Sequence, residues 1–254
     1  MRSTELVDDL GEPVPLERLP ERVVSLVPSL TEAVEVSAPG RIVAATDYCT
    51  QPRTLDVSRV GGSKYPKLDR VLAQSPDLVL ANSEENRPED VEALRANGIP
   101  VFVMAAAESV PAALGSLRRI LTQIFGIAEP EWLVTAEELW RDVEPVRHRA
   151  VVPVWRKPWV VLGRDTFAGD VLRRVGIENV YSGHPQRYPR PSIDELREAG
   201  ADLVVLPDEP YEFTQDDGPG FFPQLRPVLV SGRYLSWYGP SLVDAYAALK
   251  ESVR

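Results

Sequence analysis

Short apolar runs alternate along this chain with segments whose apolar residues recur every three or four positions. Runs of strand length fall at residues 23–27, 41–46, 78–81, 101–104, 160–163, 179–181, 203–206 and 228–230. The segments between them have the spacing of amphipathic helices. Strands and helices in alternation form mostly parallel sheets with helices packed on their faces. The pattern therefore predicts an α/β fold in which each half reads strand, helix, strand, helix, strand.

An internal repeat relates the two halves. Residues 68–85 (LDRVLAQSPDLVLANSEE) align with residues 193–210 (IDELREAGADLVVLPDEP) at a shift of 125, and the alignment pairs Asp69 with Asp194. Each segment is predicted to form a short helix, a turn and a buried strand that ends in a polar loop. Such units also occur in α/β proteins without repeats, so chance similarity is the alternative. A true repeat predicts two lobes of the same design.

The middle of the chain, residues 109–149, lacks a strand pattern. Ser109 and Pro111 favour a helix start, Gly126 interrupts that helix, and Pro130 opens a second one that runs towards residue 149. We expect a stiff strut, because about 18 helical residues span about 27 Å. The predicted domains are an N-terminal lobe of residues 1–108, the helical linker of residues 109–149 and a C-terminal lobe of residues 150–254. Two lobes on one strut predict a cleft between them.

The composition is that of a globular chain, with 44% hydrophobic and 26% charged residues among 254. The net charge of −10 argues against nucleic acid and anionic lipid as partners, since both bind basic surfaces. Residues 1–20 lack the apolar core of a signal peptide, and no stretch approaches the roughly 18 apolar residues of a membrane span. A start at Met without a leader favours the cytoplasm, unless a leader is missing from this sequence.

Candidate chemistry lies in the loops that follow the predicted strands, because ligands of open parallel sheets bind beyond the carboxyl ends of strands. These loops are rich in aromatic residues and arginine, as is typical of recognition surfaces. Packing at the rim of the fold is the alternative for each ring. The predicted ligand-binding residues are Tyr48, Lys64, Tyr65, Glu84, Arg164, Phe167, Arg187, Tyr188, Tyr211 and Trp237.

Motifs of catalysis and of metal binding are missing from the sequence. It contains no HExxH, CxxC, GxSxG or phosphate-binding Walker loop, and its two histidines, His148 and His184, are placed too unfavourably for a shared metal site. The acidic pairs Glu84–Glu85 and Asp208–Glu209 suit acid–base or hard-metal chemistry, but solvated loop charges are the favoured interpretation. Cys49, the single cysteine, is predicted to be a buried thiol without a disulfide partner. We therefore predict no catalytic residue and no metal ligand.

Seven segments, taken in order, resemble the class III, helical-backbone substrate-binding proteins of ABC importers for iron siderophores, haem and cobalamin. They are residues 7–34, 46–49 (TDYC), 60–87 (VGGSKYPKLDRVLAQSPDLVLANSEENR), 155–167 (WRKPWVVLGRDTF), 176–181, 187–211 and 235–240 (LSWYGP). The resemblance covers nearly the whole chain and is nearest to the cobalamin-binding branch. It implies two Rossmann-like lobes with mostly parallel sheets, joined by a single long helix.

The resemblance also implies roles for individual residues. Tyr48 matches a tyrosine that contacts the corrin in the cobalamin-binding branch, and Tyr188 falls at a contacting tryptophan. Two further tryptophans of that branch are replaced here by Ser63 and Asn82, which makes a more polar ligand or another metal chelate the alternative to cobalamin. Family members dock on their permease through one acidic residue per lobe, and these positions correspond to Asp69 and Asp194.

The sequence thus predicts a non-catalytic protein that binds a metal chelate of the corrinoid, siderophore or haem type, without a covalent cofactor. The resemblance makes it the substrate-binding component of an ABC importer, with the permease as partner and no insertion into the membrane. A cytosolic ligand carrier or sensor, or an enzyme that handles a metal cofactor in the same cleft, is the alternative. The family implies a location outside the cytoplasm, whereas the missing leader favours the cytoplasm.

Overall fold

The computed structural model describes residues 6–253 and divides the chain into two compact units. The first unit comprises Met1–Ala106 and Leu114–Val134, and the second comprises Ala107–Ala113 and Thr135–Arg254. Parts of the segment predicted as a linker, residues 109–149, are assigned to both units. The separate linker domain therefore stays a prediction, whereas the α/β class is confirmed.

The first unit is built on a five-stranded parallel sheet. Its strands are β1 (Val23–Ser25), β2 (Ile42–Ala45), β3 (Ser58–Arg59), β4 (Leu78–Asn82) and β5 (Val101–Met104), and its first helices are α1 (Pro28–Ser37), α2 (Leu68–Ala73) and α3 (Pro88–Ala96). The strands lie in the order β3-β2-β1-β4-β5, and every pair is parallel. The central strands β1 and β4 are entirely buried, as expected for a parallel sheet covered on both faces.

Helix α1 starts without a side-chain cap. The N-cap residue is Val27, and Pro28 occupies the first helical position. Proline is suited to this position because its missing N–H would have no helical partner there. The Thr31 hydroxyl instead donates back to the carbonyl of Val27 at 2.9 Å.

The N-terminal segment is fastened along the outer edge of β5. The backbone N–H of Asp9 donates to the carbonyl of Val103 at 3.1 Å. The carboxylate of Asp8, whose side chain is fully buried, accepts hydrogen bonds from Arg95 at 2.7 Å and from the N–H of Val103 at 3.3 Å. The segment thus pairs with a sheet edge that would otherwise expose unpaired backbone groups.

Helix α4 (Val110–Arg119) begins where the sequence predicts and continues through a π-helical turn, Ile120–Ile124. The Ser109 hydroxyl accepts the N–H of Ala112 at 3.3 Å. Helix α5 (Glu131–Leu139) follows, but it ends ten residues short of the predicted position 149. Within residues 6–253, none of the helices combines the length and apolarity that a bilayer crossing requires.

The second unit contains a four-stranded parallel sheet in the order β11-β10-β6-β9 and a separate antiparallel hairpin, β7–β8. The strands are β6 (His148–Val151), β7 (Pro153–Trp155), β8 (Val160–Val161), β9 (Ile177–Asn179), β10 (Leu203–Pro207) and β11 (Arg226–Val230). The helices are α6 (Phe167–Arg174), α7 (Ile193–Arg197), α8 (Gly232–Ser236) and α9 (Leu242–Ser252).

One predicted strand of the second half has a different role. The apolar run 160–163 is the first strand that the sequence predicts in the second half, but it supplies the second strand of the β7–β8 hairpin. The counterpart of β1 is β6, which pairs with β10 as β1 pairs with β4. Strand β6 begins with the polar residues His148 and Arg149. Its sequence therefore lacks the apolar pattern of a strand, and these residues were included in the predicted linker.

The internal repeat is confirmed by the structure. Strands β4 and β10 have the same bounds at the shift of 125 residues, and each follows a short helix. Asp77 accepts the backbone N–H groups of Glu21 and Arg22, both at 2.9 Å. Its counterpart Asp202 accepts the N–H of Arg149 at 2.6 Å. The repeat thus includes the hydrogen bonds that fix the start of the neighbouring strand.

Candidate functional site

Buried amides tie two loops together at the carboxyl edge of the first sheet. Asn82, the last residue of β4, donates its backbone N–H to Oδ1 of Asn86 at 2.8 Å, and its own Oδ1 accepts the N–H of Glu84 at 2.8 Å. The Nδ2 of Asn86 donates to the carbonyl of Ser63 at 2.8 Å. Asn82 and Asn86 are both buried. The loop after β3 is therefore held to the loop after β4.

Two tyrosine rings are exposed at this edge. Tyr48 and Tyr65 leave 65% and 66% of their surface in solvent, and Lys64 is exposed next to Tyr65. The Tyr48 ring lies beside Gly62, where an added Cβ would meet its Cε2 at 3.5 Å. Gly61, at φ +93°, turns the chain at the base of the Tyr65 loop. Exposed rings above a buried sheet are typical of a recognition surface.

Cys49 is the buried thiol that the sequence predicts. Its Sγ lies 3.1 Å from the hydroxyl oxygens of Thr31 and Thr46. Burial raises the pKa of the Cys49 thiol, although the hydrogen bonds from both threonines oppose this effect. A thiol held in its protonated form is a poor nucleophile.

In the second unit, Arg164, Arg187 and Tyr188 are brought to one loop cluster. The N–H of Gly163 donates to the carbonyl of Arg187 at 2.7 Å, and the Arg187 guanidinium donates to the carbonyl of Asp165. An added Cβ at Gly163 would lie 2.1 Å from a backbone oxygen of the facing loop, so only glycine permits this approach. Arg164 pairs with Asp165 at 3.2 Å, and Tyr188 is 40% exposed.

Three other predicted ligand-binding residues occupy packing positions. Phe167 and Trp237 are only 7% and 6% exposed, and Phe167 meets Tyr238 edge to face with ring centroids 5.7 Å apart. Tyr211 belongs to a different aromatic cluster, where its hydroxyl donates to Asp217 at 2.6 Å. A direct contact of these residues with ligand stays a prediction.

Glu209 lies against Trp237 at the carboxyl end of β10. Burial raises the pKa of the Glu209 carboxyl, and the negative charge of Asp208 acts in the same direction. Hydrogen bonds from Trp237 and Ser236 and the charge of Arg233 oppose the shift. Oε1 of Glu209 is buried without a hydrogen-bond partner among residues 6–253. Sequence reasoning treated this residue only as one of an acidic pair, and its place beside Trp237 has no signal in the sequence.

The described acidic residues and histidines do not form a cluster that could hold a metal ion. Across the described part of the chain, no three His, Cys, Asp or Glu side chains converge as metal ligands. His148 begins β6, and its Nδ1 lies 2.6 Å from Oδ2 of Asp202. The Nδ1 of His184 accepts the N–H of Gln186 at 3.1 Å. Both histidines therefore make local structural contacts.

The two acidic residues assigned to docking lie in the first turns of equivalent helices. Asp69 is exposed in α2, and the side chain of Asp194 in α7 is 78% exposed with Arg197 at 3.2 Å. Neither is the N-cap residue, since these positions are Lys67 and Ser192. Helix capping therefore does not account for them, and both carboxylates lie on the surface of their own unit.

A cavity of about 340 Å³ in the second unit lies at the amino end of β6, away from the predicted residues. It is lined by Arg147, His148, Val175, Lys250 and Val253. Glu144 pairs with both Arg147 and Lys250, so both of these cations already take part in ion pairs. The candidate site is instead formed by the exposed loops at the carboxyl ends of the strands.

The chain is similar in sequence to curated proteins that are named for vitamin B12 binding. No protein-family model matches the chain. The chain is 26% identical over 245 residues to the vitamin B12-binding protein of Pectobacterium carotovorum, covering 89% of this chain and 86% of the relative. It is 24% identical over 193 residues to the vitamin B12-binding protein of Vibrio parahaemolyticus, covering 69% and 66%.

Solved structures share the fold. The periplasmic vitamin B12 binding protein BtuF of Vibrio cholerae matches with a TM-score of 0.73 at 19% identity, covering 92% of this chain and 97% of that chain. The periplasmic heme-binding protein RhuT from Roseiflexus sp. RS-1 matches with a TM-score of 0.73 at 20% identity, covering 92% and 99%.

Proposed function

We propose that this chain is a substrate-binding protein of the class III ABC-importer type and that it binds a metal chelate without transforming it. The rings of Tyr48 and Tyr65 carry the proposal, because most of the surface of each residue is exposed and accessible to a planar ligand. Aromatic faces of this kind bind flat, partly apolar molecules by stacking. The relatives are named as binding proteins, which supports a non-catalytic role.

A corrinoid is the first ligand to test, because the similar curated proteins are named for vitamin B12. Haem is the second, since a structural neighbour is named for it. Ser63 and Asn82 occur where the cobalamin-binding branch has tryptophans, and the buried amide network uses both residues for structure. Contact with the ligand at this edge therefore falls to Tyr48 and Tyr65.

Substitution of the two rings tests the proposal. We expect Tyr48→Ala and Tyr65→Ala each to weaken the affinity for the bound chelate by about tenfold, because each removes a stacking face. Isothermal titration with cyanocobalamin, and then with ferric haem, provides the measurement. Trp155→Ala is the matched control, since Trp155 is an exposed ring in the β7–β8 hairpin. Tyrosine variants that bind as tightly as this control would contradict the proposal.

We propose that the partner is an ABC permease and that the chain contacts it through Asp69 and Asp194. Both carboxylates are exposed in equivalent helices of the repeat. An importer component acts outside the cytoplasmic membrane, and the neighbour from Vibrio cholerae is named periplasmic. The cytoplasmic location remains a separate prediction and belongs to the carrier or sensor alternative.

Charge reversal separates docking from ligand binding. Asp69→Arg and Asp194→Arg are each expected to lower cellular uptake of labelled ligand at least about tenfold, because like charges across an interface cost several kcal/mol. Ligand affinity in solution should not change. The control Glu92→Arg reverses an exposed charge on α3. Uptake that remains normal in both aspartate variants would exclude these residues from docking.

A further inference from the structure

Tyr65 lies in a short loop whose two ends are joined by two backbone interactions. Gly61 and Pro66 form an antiparallel bridge, and the N–H of Lys67 donates to the carbonyl of Val60 at 2.7 Å. The loop is also held from the side by Asn86, as described above. These bonds fix the backbone of the loop, but they do not fix the Tyr65 side chain, which is 66% exposed.

A single cation lies against the Tyr65 ring. The guanidinium carbon of Arg87 is 4.8 Å from the ring centroid, within the range of a cation–π contact. Arg87 follows the β4 loop directly and is the N-cap residue of α3. The guanidinium therefore lies over one face of the ring, and Tyr65 still leaves 66% of its surface in solvent.

Arg87 is itself held in a fixed orientation. Its Nε and Nη2 donate to the two carboxylate oxygens of Asp90, both at 2.8 Å. Asp90 is only 5% exposed, so this forked pair is anchored in the body of the unit. Glu89 adds a second contact at 3.3 Å to Nη1. A bidentate pair to a buried carboxylate fixes both the position and the plane of the guanidinium.

We propose that Arg87, locked by Asp90, is a positioning residue that holds the Tyr65 ring with one face presented to the ligand. The inference rests on the proposed function and identifies the residue that orders the Tyr65 ring before the ligand binds. A ring ordered before binding loses less rotamer entropy when the ligand arrives. Arg87 therefore contributes to affinity through Tyr65, without touching the ligand.

A double-mutant cycle between Arg87 and Tyr65 tests this role, with cyanocobalamin and ferric haem as the probes. We expect Arg87→Gln to weaken binding of the probe by about two- to tenfold. In the Tyr65→Ala background the same substitution should have no further effect, because the ring on which it acts is gone. Arg87→Lys should weaken the affinity about as much as Arg87→Gln does. A lysine ammonium cannot make the bidentate pair with Asp90 and stack on the ring at the same time.

Controls separate positioning from charge and from folding. Arg41→Gln removes the same charge at the amino end of β2, where Arg41 pairs with Glu21 at 3.9 Å, and should leave affinity unchanged. Should Arg87→Gln unfold the protein by leaving the Asp90 carboxylate buried without its cation, Arg87→Gln combined with Asp90→Asn replaces it in the cycle.

Three results would overturn the inference. Affinity that is unaffected by Arg87→Gln would exclude a role for the cation. An equal loss in the wild-type and Tyr65→Ala backgrounds would show that Arg87 acts independently of the ring. Both results leave the proposed function intact, because the wild type still binds the probe. Failure of the wild type to bind either probe would refute the proposed function and this inference together.

Discussion

The carboxyl group of Glu209 is held where ionisation is unfavourable. Gly232 packs against it so closely that an added Cβ would lie 2.3 Å from its Cγ, and Oε1 has no hydrogen-bond partner among the described residues. Burial raises the pKa of this carboxyl above its ordinary value of 4.5. The same carboxyl group accepts a hydrogen bond from Trp237. Glu209 is thus a structural acid next to a predicted ligand-binding residue.

This raised pKa makes stability depend on pH in a definite direction. Because the folded state holds the proton more tightly than the unfolded state, the free energy of unfolding falls as pH rises from 4.5 through the folded pKa. Glu209→Gln cannot ionise and should lack this fall. Chemical denaturation at a series of pH values measures the difference, with the exposed Glu212→Gln as control. Parallel stability curves for wild type and Glu209→Gln would contradict the assignment.

Residue roles were predictable only in part. Tyr48 and Tyr65 are exposed in loops after strands, where the sequence placed candidate ligand contacts. Phe167 and Trp237 have the same kind of position in the sequence, but they are buried. Rings near strand ends serve either packing or recognition, and the choice depends on tertiary neighbours that a single sequence does not reveal.

Among the elements, the helix–strand repeat has a shared hydrogen-bonding role. Asp77 and Asp202 lie one residue before β4 and β10 and accept backbone N–H groups from residues at or just before β1 and β6. For Asp202, burial alone would raise the pKa, but the hydrogen bonds from the Arg149 N–H and from His148 lower it. The contribution of this carboxylate is therefore present near neutral pH and is lost as pH falls through its folded pKa.

Removal of either carboxylate should destabilise the fold to a similar extent. We expect Asp77→Ala and Asp202→Ala each to lower the free energy of unfolding by about 1–2 kcal/mol, because each leaves backbone donors without their acceptor. Urea denaturation followed by circular dichroism provides the measurement, and the exposed Asp56→Ala is the control. If Asp77→Ala and Asp202→Ala lower the free energy of unfolding no more than the control does, these carboxylates do not share the stabilising role that the repeat predicts.

Element prediction succeeded where the apolar pattern was continuous. Strands β4 and β10 are buried throughout and were recognised from the repeat. Strand β6 was missed because its first two residues are His148 and Arg149, whereas the more apolar run 160–163 became part of a hairpin. Pairing with neighbouring strands, which decided both cases, is a tertiary property that overrides local pattern.

At the scale of the whole molecule, both units repeat one design and carry their candidate contacts in loops that follow strands. Their sheets have equivalent strand order, with β2-β1-β4-β5 matched by β9-β6-β10-β11. The fold could be predicted because the alternation and the repeat extend along nearly the whole chain. The ligand could not, since exposed aromatic rings in loops bind many flat molecules and do not specify one of them.

Gel filtration after incubation with cyanocobalamin or ferric haem is the first measurement to make, because the proposed function is stoichiometric binding without reaction. We expect one chelate to elute with each chain, and mass spectrometry to recover it unchanged after the complex is denatured. Elution of the protein without either chelate, or recovery of a chemically altered chelate, would refute the proposed function.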